Sequence, residues 1–164
     1  LGIAREVGPE QCTLVPDAAD AFTSEEGWKL DPKQMALARP AIVALKALGA
    51  RVILFIDPDP GVLSRIVDSG AEGVEIYTGG YAAAFRSGDH TGLLNACAET
   101  ARQAHALGLV VNAGHDLNLH NLPPLMQRIP FLAEASIGHE LTADALEMGF
   151  AQAVKEYAAA LASR

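Results

Sequence analysis

Two histidines stand where apolar runs give out. Leu107-Gly108-Leu109-Val110-Val111 runs into Asn112-Ala113-Gly114-His115-Asp116, and Ala133-Glu134-Ala135-Ser136-Ile137 runs into Gly138-His139. A β-branched run that ends in a Gly-His turn is how a buried parallel strand delivers a side chain to the rim of an active site. An imidazole in that place could act as a general acid or base, although a histidine that satisfies loop carbonyls explains the position of His115 equally well. Glu75 carries more weight. It interrupts the apolar run Val74-Glu75-Ile76, where a carboxylate is costly unless partnered or used. Alternation puts Glu75 and Tyr77 on one face and Val74 and Ile76 on the other. A barrel interior would hold that carboxylate beside a ligand; an interior salt bridge is the alternative. Gly138-His139, followed by a helical segment, could cradle a phosphate on backbone N–H groups, with the glycine allowing close approach. His120 follows His115 at a spacing that suits neither a helix face nor a strand face, so a metal pair is not expected. His90 and His105 read as a loop residue and a helix-surface residue.

Positioning these groups falls to five β-type runs, residues 12–15, 51–57, 73–77, 109–114 and 134–138. Helical period fills the segments between them. Residues 32–48 have Asp31 as N-cap and Pro32 at the first helical position. Residues 60–67 have Asp59 as cap, and 91–107 stop at Gly108. The Ala-rich stretch 143–163 is one helix or two, broken near Gly149. Residues 1–7 read as an amphipathic helix fragment with neither initiator methionine nor cap, as in a chain entered midway. Strands alternating with helices predict parallel pairing with right-handed crossovers. Continuous apolar strands such as Val52-Ile53-Leu54-Phe55-Ile56 predict a sheet covered on both faces.

The loops at 17–31 and 78–90 are long and polar, the kind that carry ligand contacts in α/β proteins; Gly79-Gly80 is expected to lead into such a loop and not into a helix. No Gly-x-Gly-x-x-Gly follows a strand, which argues against a dinucleotide site. Five strands could form an open doubly wound sheet or five-eighths of a (β/α)8 barrel. The barrel reading predicts Cys12, Val52, Val74, Val110 and Ala135 on neighbouring parallel strands in chain order. It also places the two Gly-His turns after the last strands, where barrels often build phosphate sites.

At 164 residues, half of them hydrophobic and a fifth charged, the chain reads as a single α/β domain spanning 1–164. A net charge of −8 argues against binding a nucleic-acid backbone, though not against single phosphates on a metabolite. Cys12 and Cys97 are too few and too far apart for a disulfide framework or zinc cluster. They read as buried thiols in a reducing cytoplasm. No apolar stretch is long enough to span a bilayer, and nothing at the start resembles a signal peptide.

Taken together, several stretches resemble the pyridoxine 5′-phosphate synthase family, (β/α)8 enzymes that close the pyridine ring of vitamin B6. They are Thr13-Leu14-Val15-Pro16, Thr23-Ser24-Glu25-Glu26-Gly27, Leu54-Phe55-Ile56-Asp57, Val74-Glu75-Ile76-Tyr77-Thr78-Gly79-Gly80-Tyr81-Ala82, Val111-Asn112-Ala113-Gly114-His115-Asp116-Leu117-Asn118 and Ile137-Gly138-His139. The resemblance implies condensation of 1-deoxy-D-xylulose 5-phosphate with 3-amino-2-oxopropyl phosphate, a transferase reaction that releases water and inorganic phosphate and uses no metal or organic cofactor. By the same likeness His115 is the late proton donor and Glu75 stabilises the transition state. Thr23 would contact the xylulose phosphate, and Asp116, Gly138 and His139 would bind the amino-ketone phosphate. Asp116 stands where the family commonly has glycine. The resemblance further implies a cytoplasmic homo-oligomer. It casts the five strands as the fourth to eighth of the barrel, with three βα units carrying an Asn-x-Asp-His motif, a catalytic histidine and a catalytic glutamate missing before them. A non-catalytic phosphate-binding half-barrel, or a truncated and inactive fragment, is the competing expectation.

Overall fold

A computed structural model describes residues 1–17 and 23–162. The middle of the long loop expected over 17–31, residues 18–22, and Ser163 at the end of the last expected helix lie outside the described residues. Five strands, β1 (Gln11–Leu14), β2 (Arg51–Ile56), β3 (Gly73–Tyr77), β4 (Val110–Gly114) and β5 (Glu134–Ser136), form one sheet in that order. Every neighbouring pair is parallel. A doubly wound sheet would reverse its strand order; this one does not.

The sheet curls. Gln11 Nε2 on β1 donates to Glu134 Oε2 on β5 at 2.8 Å, and Thr13 Oγ1 on β1 donates to Glu75 Oε2 on β3 at 3.0 Å. Side chains from the two edge strands therefore meet over the concave face, giving a curled half-barrel consistent with part of a (β/α)8 barrel. The two faces differ in chemistry. Val52, Leu54, Ile56, Val74, Ile76, Val111 and Ala113 point outward into one hydrophobic core under the helices, while Thr13, Glu75, Asn112 and Glu134 face the concave side.

Helices α2 (Pro32–Lys46), α3 (Leu63–Ser69), α5 (Thr91–Ala106) and α8 (Phe150–Ala162) bury residues against the sheet, while α7 (His139–Met148) has no buried residue and packs on the core through Leu141. Asp31 caps α2 by accepting from the amides of Lys33 and Gln34, an interaction that typically contributes about 1 kcal/mol. Asp59 caps the entry to α3 as expected, but a 3-10 turn over Pro60–Val62 precedes the helix. A short uncapped helix, α1 (Gly2–Val7), leads into β1 and ends on the left-handed Gly8. The C-terminal helical stretch is two helices divided at Gly149, whose φ is 88°.

Two stretches depart from the sequence reading. The segment after Thr78 is not a loop: Gly79–Ser87 is a helix, α4, with Tyr81 and Ala82 buried. Gly79 starts it because a Cβ there would overlap the phenol of Tyr77, so the glycine pair marks close packing and not a turn. A further helix, α6 (Leu122–Arg128), carries Pro123 and Pro124 in its first turn, where proline's missing N–H costs nothing. Leu122, Leu125 and Met126 bury its inner stripe.

Among the described residues no helix is long and apolar enough to cross a membrane. Both cysteines are free, Cys97 buried and Cys12 partly so. Burial pushes the Cys97 thiol up from 9.0 to about 12, and burial, with Cys97 nearby, pushes the Tyr81 phenol up from 10.0 to about 12. The unfolded chain therefore releases these protons at lower pH than the folded one, so their contribution to stability is intact at neutral pH and is lost as pH rises. Urea midpoints should stay level up to about pH 9 and fall steadily towards about pH 12. A midpoint unchanged across that window would mean that neither group is held protonated by the fold.

Candidate active site

The C-terminal ends of the strands open onto a cavity of about 780 Å³, lined on the strand side by Thr13, Phe55, Glu75 and Ser136 and on the loop side by Thr23, His115, Asp116, Gly138 and His139. All six residues singled out from the sequence line this one cavity. They come from segments as distant in the chain as 23 and 139, brought together by the curl of the sheet.

Glu75 points inward from β3 as alternation required and is only 9 % exposed. Its partner is a neutral hydroxyl, Thr13 Oγ1 at 3.0 Å, so the alternative of an interior salt bridge finds no partner among the described residues. Room for the carboxylate is made by the neighbouring strand: β3 and β4 place Glu75 beside Asn112 and Tyr77 beside Gly114. A Cβ on Gly114 would overlap Glu75 Oε1. Next along the register, Glu134 pairs with Asn112 and accepts from Gln11 at 2.8 Å and from Asn112 Nδ2 at 3.4 Å.

His115 follows β4 directly. Its Nε2 lies 2.9 Å from Thr23 Oγ1, so the hydroxyl donates when the nitrogen is unprotonated and accepts when it carries a proton. The Tyr77 ring meets the imidazole edge-on at a centroid distance of 5.0 Å. Asp116 Oδ1 is 3.3 Å from the other ring nitrogen, Nδ1, but outside hydrogen-bonding alignment, and this buried nitrogen has no hydrogen-bond partner. Burial pushes the Tyr77 phenol up, with the charges of Asp116, Glu25 and Asp57 adding to the effect.

The backbone of this turn is unusual. His115 has φ 93° and Asp116 φ 56°, both in the left-handed region that side chains avoid. Each such residue costs on the order of 1–3 kcal/mol unless its surroundings hold it there. The φ of Asp116 gives a physical reason why a glycine suits this position, and aspartate is one of the few residues that tolerate it. Thr78, fully buried just beyond β3, sets its Oγ1 2.7 Å from the Gly114 carbonyl oxygen and 2.6 Å from that of His115. Asn121 Nδ2 donates to the Asp116 carbonyl at 3.0 Å, and Asn118 and Asn121 exchange side-chain-to-backbone bonds that close the loop behind it. No local signal in the sequence distinguishes Thr78 or Asn121, since both act through a strand adjacency and a turn that exist only in the fold.

Thr23 is held by the segment after it. Trp28 donates its backbone N–H to the Phe55 carbonyl at 2.8 Å and its indole N–H to the Leu14 carbonyl at 2.9 Å. Asp57 accepts from the Gly27 amide at 3.2 Å and pairs with Lys29. Gly27 packs so tightly on Ile56 and Asp57 that a Cβ would overlap their backbone.

Gly138 is the N-cap of α7, with no side chain capping the helix. Gly138, His139 and Glu140 at the start of α7 line the cavity, and a helix start carries free amides and the positive end of the helix dipole. Both Gly138 and His139 are solvent-exposed. The described lining contains three carboxylates, Glu75, Asp116 and Glu140, and neither lysine nor arginine. An anion bound here would rest on backbone amides and on His115 and His139.

His90 and His105 lie outside the cavity. The first lies tilted against Phe85 at a centroid distance of 4.6 Å, and the second stacks on Phe131 at 4.4 Å. Among the described residues no cluster of side chains could hold a metal ion.

The model of the family described as pyridoxal phosphate biosynthesis protein PdxJ matches residues 1–163. Relatives named pyridoxine 5′-phosphate synthase include one from Chelativorans sp., 46% identical over 98% of this chain and 65% of its own length. Another, from Brucella anthropi, is 47% identical over 99% of this chain and 66% of its own length. A third, from Albidiferax ferrireducens, is 46% identical over 94% and 61% respectively. The chain thus spans a little under two-thirds of the length of these relatives. A crystal structure of an Amycolatopsis orientalis BexX/CysO complex superposes with a TM-score of 0.61 at 18% identity, covering 99% of this chain and 60% of that one. That likeness concerns the fold alone.

Proposed function

The chain belongs to the PdxJ family, and from that premise we propose that the protein carrying it is a pyridoxine 5′-phosphate synthase. It would condense 1-deoxy-D-xylulose 5-phosphate with 3-amino-2-oxopropyl phosphate, giving pyridoxine 5′-phosphate, inorganic phosphate and water. The observation that carries this reading is the meeting of Glu75, His115, Thr23, Asp116, Gly138 and His139 around one cavity, with His115 and Thr23 in hydrogen-bonding contact.

In this proposal His115 gives the Nε2 proton to an oxygen leaving the substrates, and Thr23 holds that nitrogen until the xylulose phosphate draws the hydroxyl away. Glu75, with one neutral partner, presents a carboxylate to positive charge that develops during ring closure. The phosphate of the amino-ketone rests on the amides of Gly138 and His139 and the backbone of residue 116. The strands β1 to β5 are then the fourth to eighth of the barrel, a share that agrees with the fraction of the relatives' length the chain covers. The residues of the preceding strands would complete the site, and the 164-residue chain by itself would form no product. The complete protein would act in the cytoplasm as a homo-oligomer.

Incubating the full-length protein with both substrates and following pyridoxine 5′-phosphate and phosphate release tests the reaction. Crystals of the full-length protein soaked in phosphate test the anion site, with density expected at the amides of residues 138 and 139. Density confined to the side of the cavity formed by residues 23–31 would refute that assignment. The carboxylates around the cavity mouth favour one second reading, a half-barrel that has kept the shape of the site without turnover. Tight phosphate binding with no product from the full-length protein would select it.

A further inference from the structure

His115 reaches the cavity from a backbone that must be forced into place. Two successive non-glycine residues with φ 93° and 56° persist only where their surroundings over-determine them. We infer that Thr78 is a positioning residue for His115: its buried hydroxyl, seated between the carbonyl oxygens of Gly114 and His115, fixes the left-handed turn that brings the imidazole to Thr23. This rests on the reading that His115 does the proton chemistry.

The geometry of the contact is specific. Thr78 follows β3 by one residue, and the pairing of Tyr77 with Gly114 sets it opposite the end of β4. Its amide donates to the Gly114 carbonyl at 2.9 Å, and its Oγ1 lies 2.7 Å from the same oxygen and 2.6 Å from the His115 oxygen. The hydroxyl has one proton to share between two acceptors, so it draws two successive carbonyls towards one point. That convergence is what a left-handed step in the chain produces. Among the described residues no other side chain donates to the His115 carbonyl. A β-branched side chain is also stiff about χ1, so threonine holds its hydroxyl on target. Thr78 is not among the residues lining the cavity, so it acts through the backbone of His115 and not on a substrate.

The test uses the full-length protein. Thr78→Val keeps the shape and removes the hydroxyl. The expected result is kcat lower by about 10- to 100-fold, the usual effect of misplacing a reacting group by around an ångström, with both KM values within about threefold of wild type. The ring 15N resonances of His115 should shift, and Thr78→Ser should restore both kcat and the resonances. Ser69→Ala, which removes another buried hydroxyl's bond to a backbone carbonyl at a site remote from the cavity, controls for general loss of a hydrogen bond and should leave both readouts unchanged. Wild-type kcat in Thr78→Val, or unmoved His115 resonances, would overturn the proposal. So would failure of both Thr78→Val and Thr78→Ala to fold while Thr78→Ser folds, since the hydroxyl would then be structural. Should the wild-type protein form no pyridoxine 5′-phosphate, the synthase reading fails, and the resonances alone decide the role of Thr78.

Discussion

His115→Asn in the full-length protein should lower turnover by ~10²–10⁴-fold while leaving the affinity for both substrates close to wild type. Asparagine is the informative replacement because it separates the proton from the backbone. The turn at His115 has φ 93°, a region in which asparagine is enriched and most other residues are strained. The substituted chain can therefore keep the carbonyl geometry that Thr78 and Asn121 hold in place. Its side-chain amide reaches only as far as the imidazole's Nδ1 and falls short of the Nε2 that Thr23 touches, so the Thr23 hydroxyl is left free for a substrate. What it cannot do is carry a proton to a leaving oxygen. The loss should fall on kcat and not on KM, and the far-UV spectrum and urea midpoint should stay near wild type. Turnover within tenfold of wild type would remove His115 from the chemistry. A rise in both KM values with kcat retained would recast it as a binding residue.

Much of the arrangement that makes such a variant meaningful was legible before the fold was known, and the limits of that legibility are physical. Residues 109–114 could be placed as a strand delivering His115 because a buried parallel strand reads as a near-continuous apolar run that gives out at the polar turn. Glu75 could be assigned to the inner face because strand alternation is strictly two-fold. Its partner could not, because Thr13 comes from a strand two places away and meets Glu75 only through the curl of the sheet. Gly114 looked like a turn glycine; its service is to leave space for Glu75 Oε1 on the neighbouring strand. Gly79 was misread for a similar reason, since what excludes a side chain there is the ring of Tyr77. Asp116 was legible as an odd residue at a glycine position, but its φ of 56° was needed to say why glycine suits that place. Local periodicity reports which way a side chain faces. It does not report what stands opposite.

Glu75→Gln should lower turnover by ~10²–10³-fold, about the effect of removing one preorganised electrostatic contact to a transition state, with little change in either KM. The glutamine is close to isosteric, so it fits the space left by Gly114 and can still accept from Thr13 Oγ1 at the position now occupied by Oε2. Only the charge is lost. At 9 % exposure, with a single neutral partner, that charge is expensive for the folded state to keep. The stability of the glutamine variant should therefore equal or exceed wild type, as read from its urea midpoint. Loss of activity with stability retained or gained is the signature of a group kept for chemistry at the expense of folding. Glu75→Asp keeps the charge but draws it back from Thr13 and the cavity, and should recover part of the lost turnover if charge is what matters. Gly114→Ala approaches the same carboxylate from the other side: its Cβ would overlap Glu75 Oε1, so it should lower turnover and stability together. If Glu75→Gln instead keeps turnover within tenfold and loses stability, Glu75 is a structural partner of Thr13, and the carboxylate that faces the reaction must be sought elsewhere around the cavity.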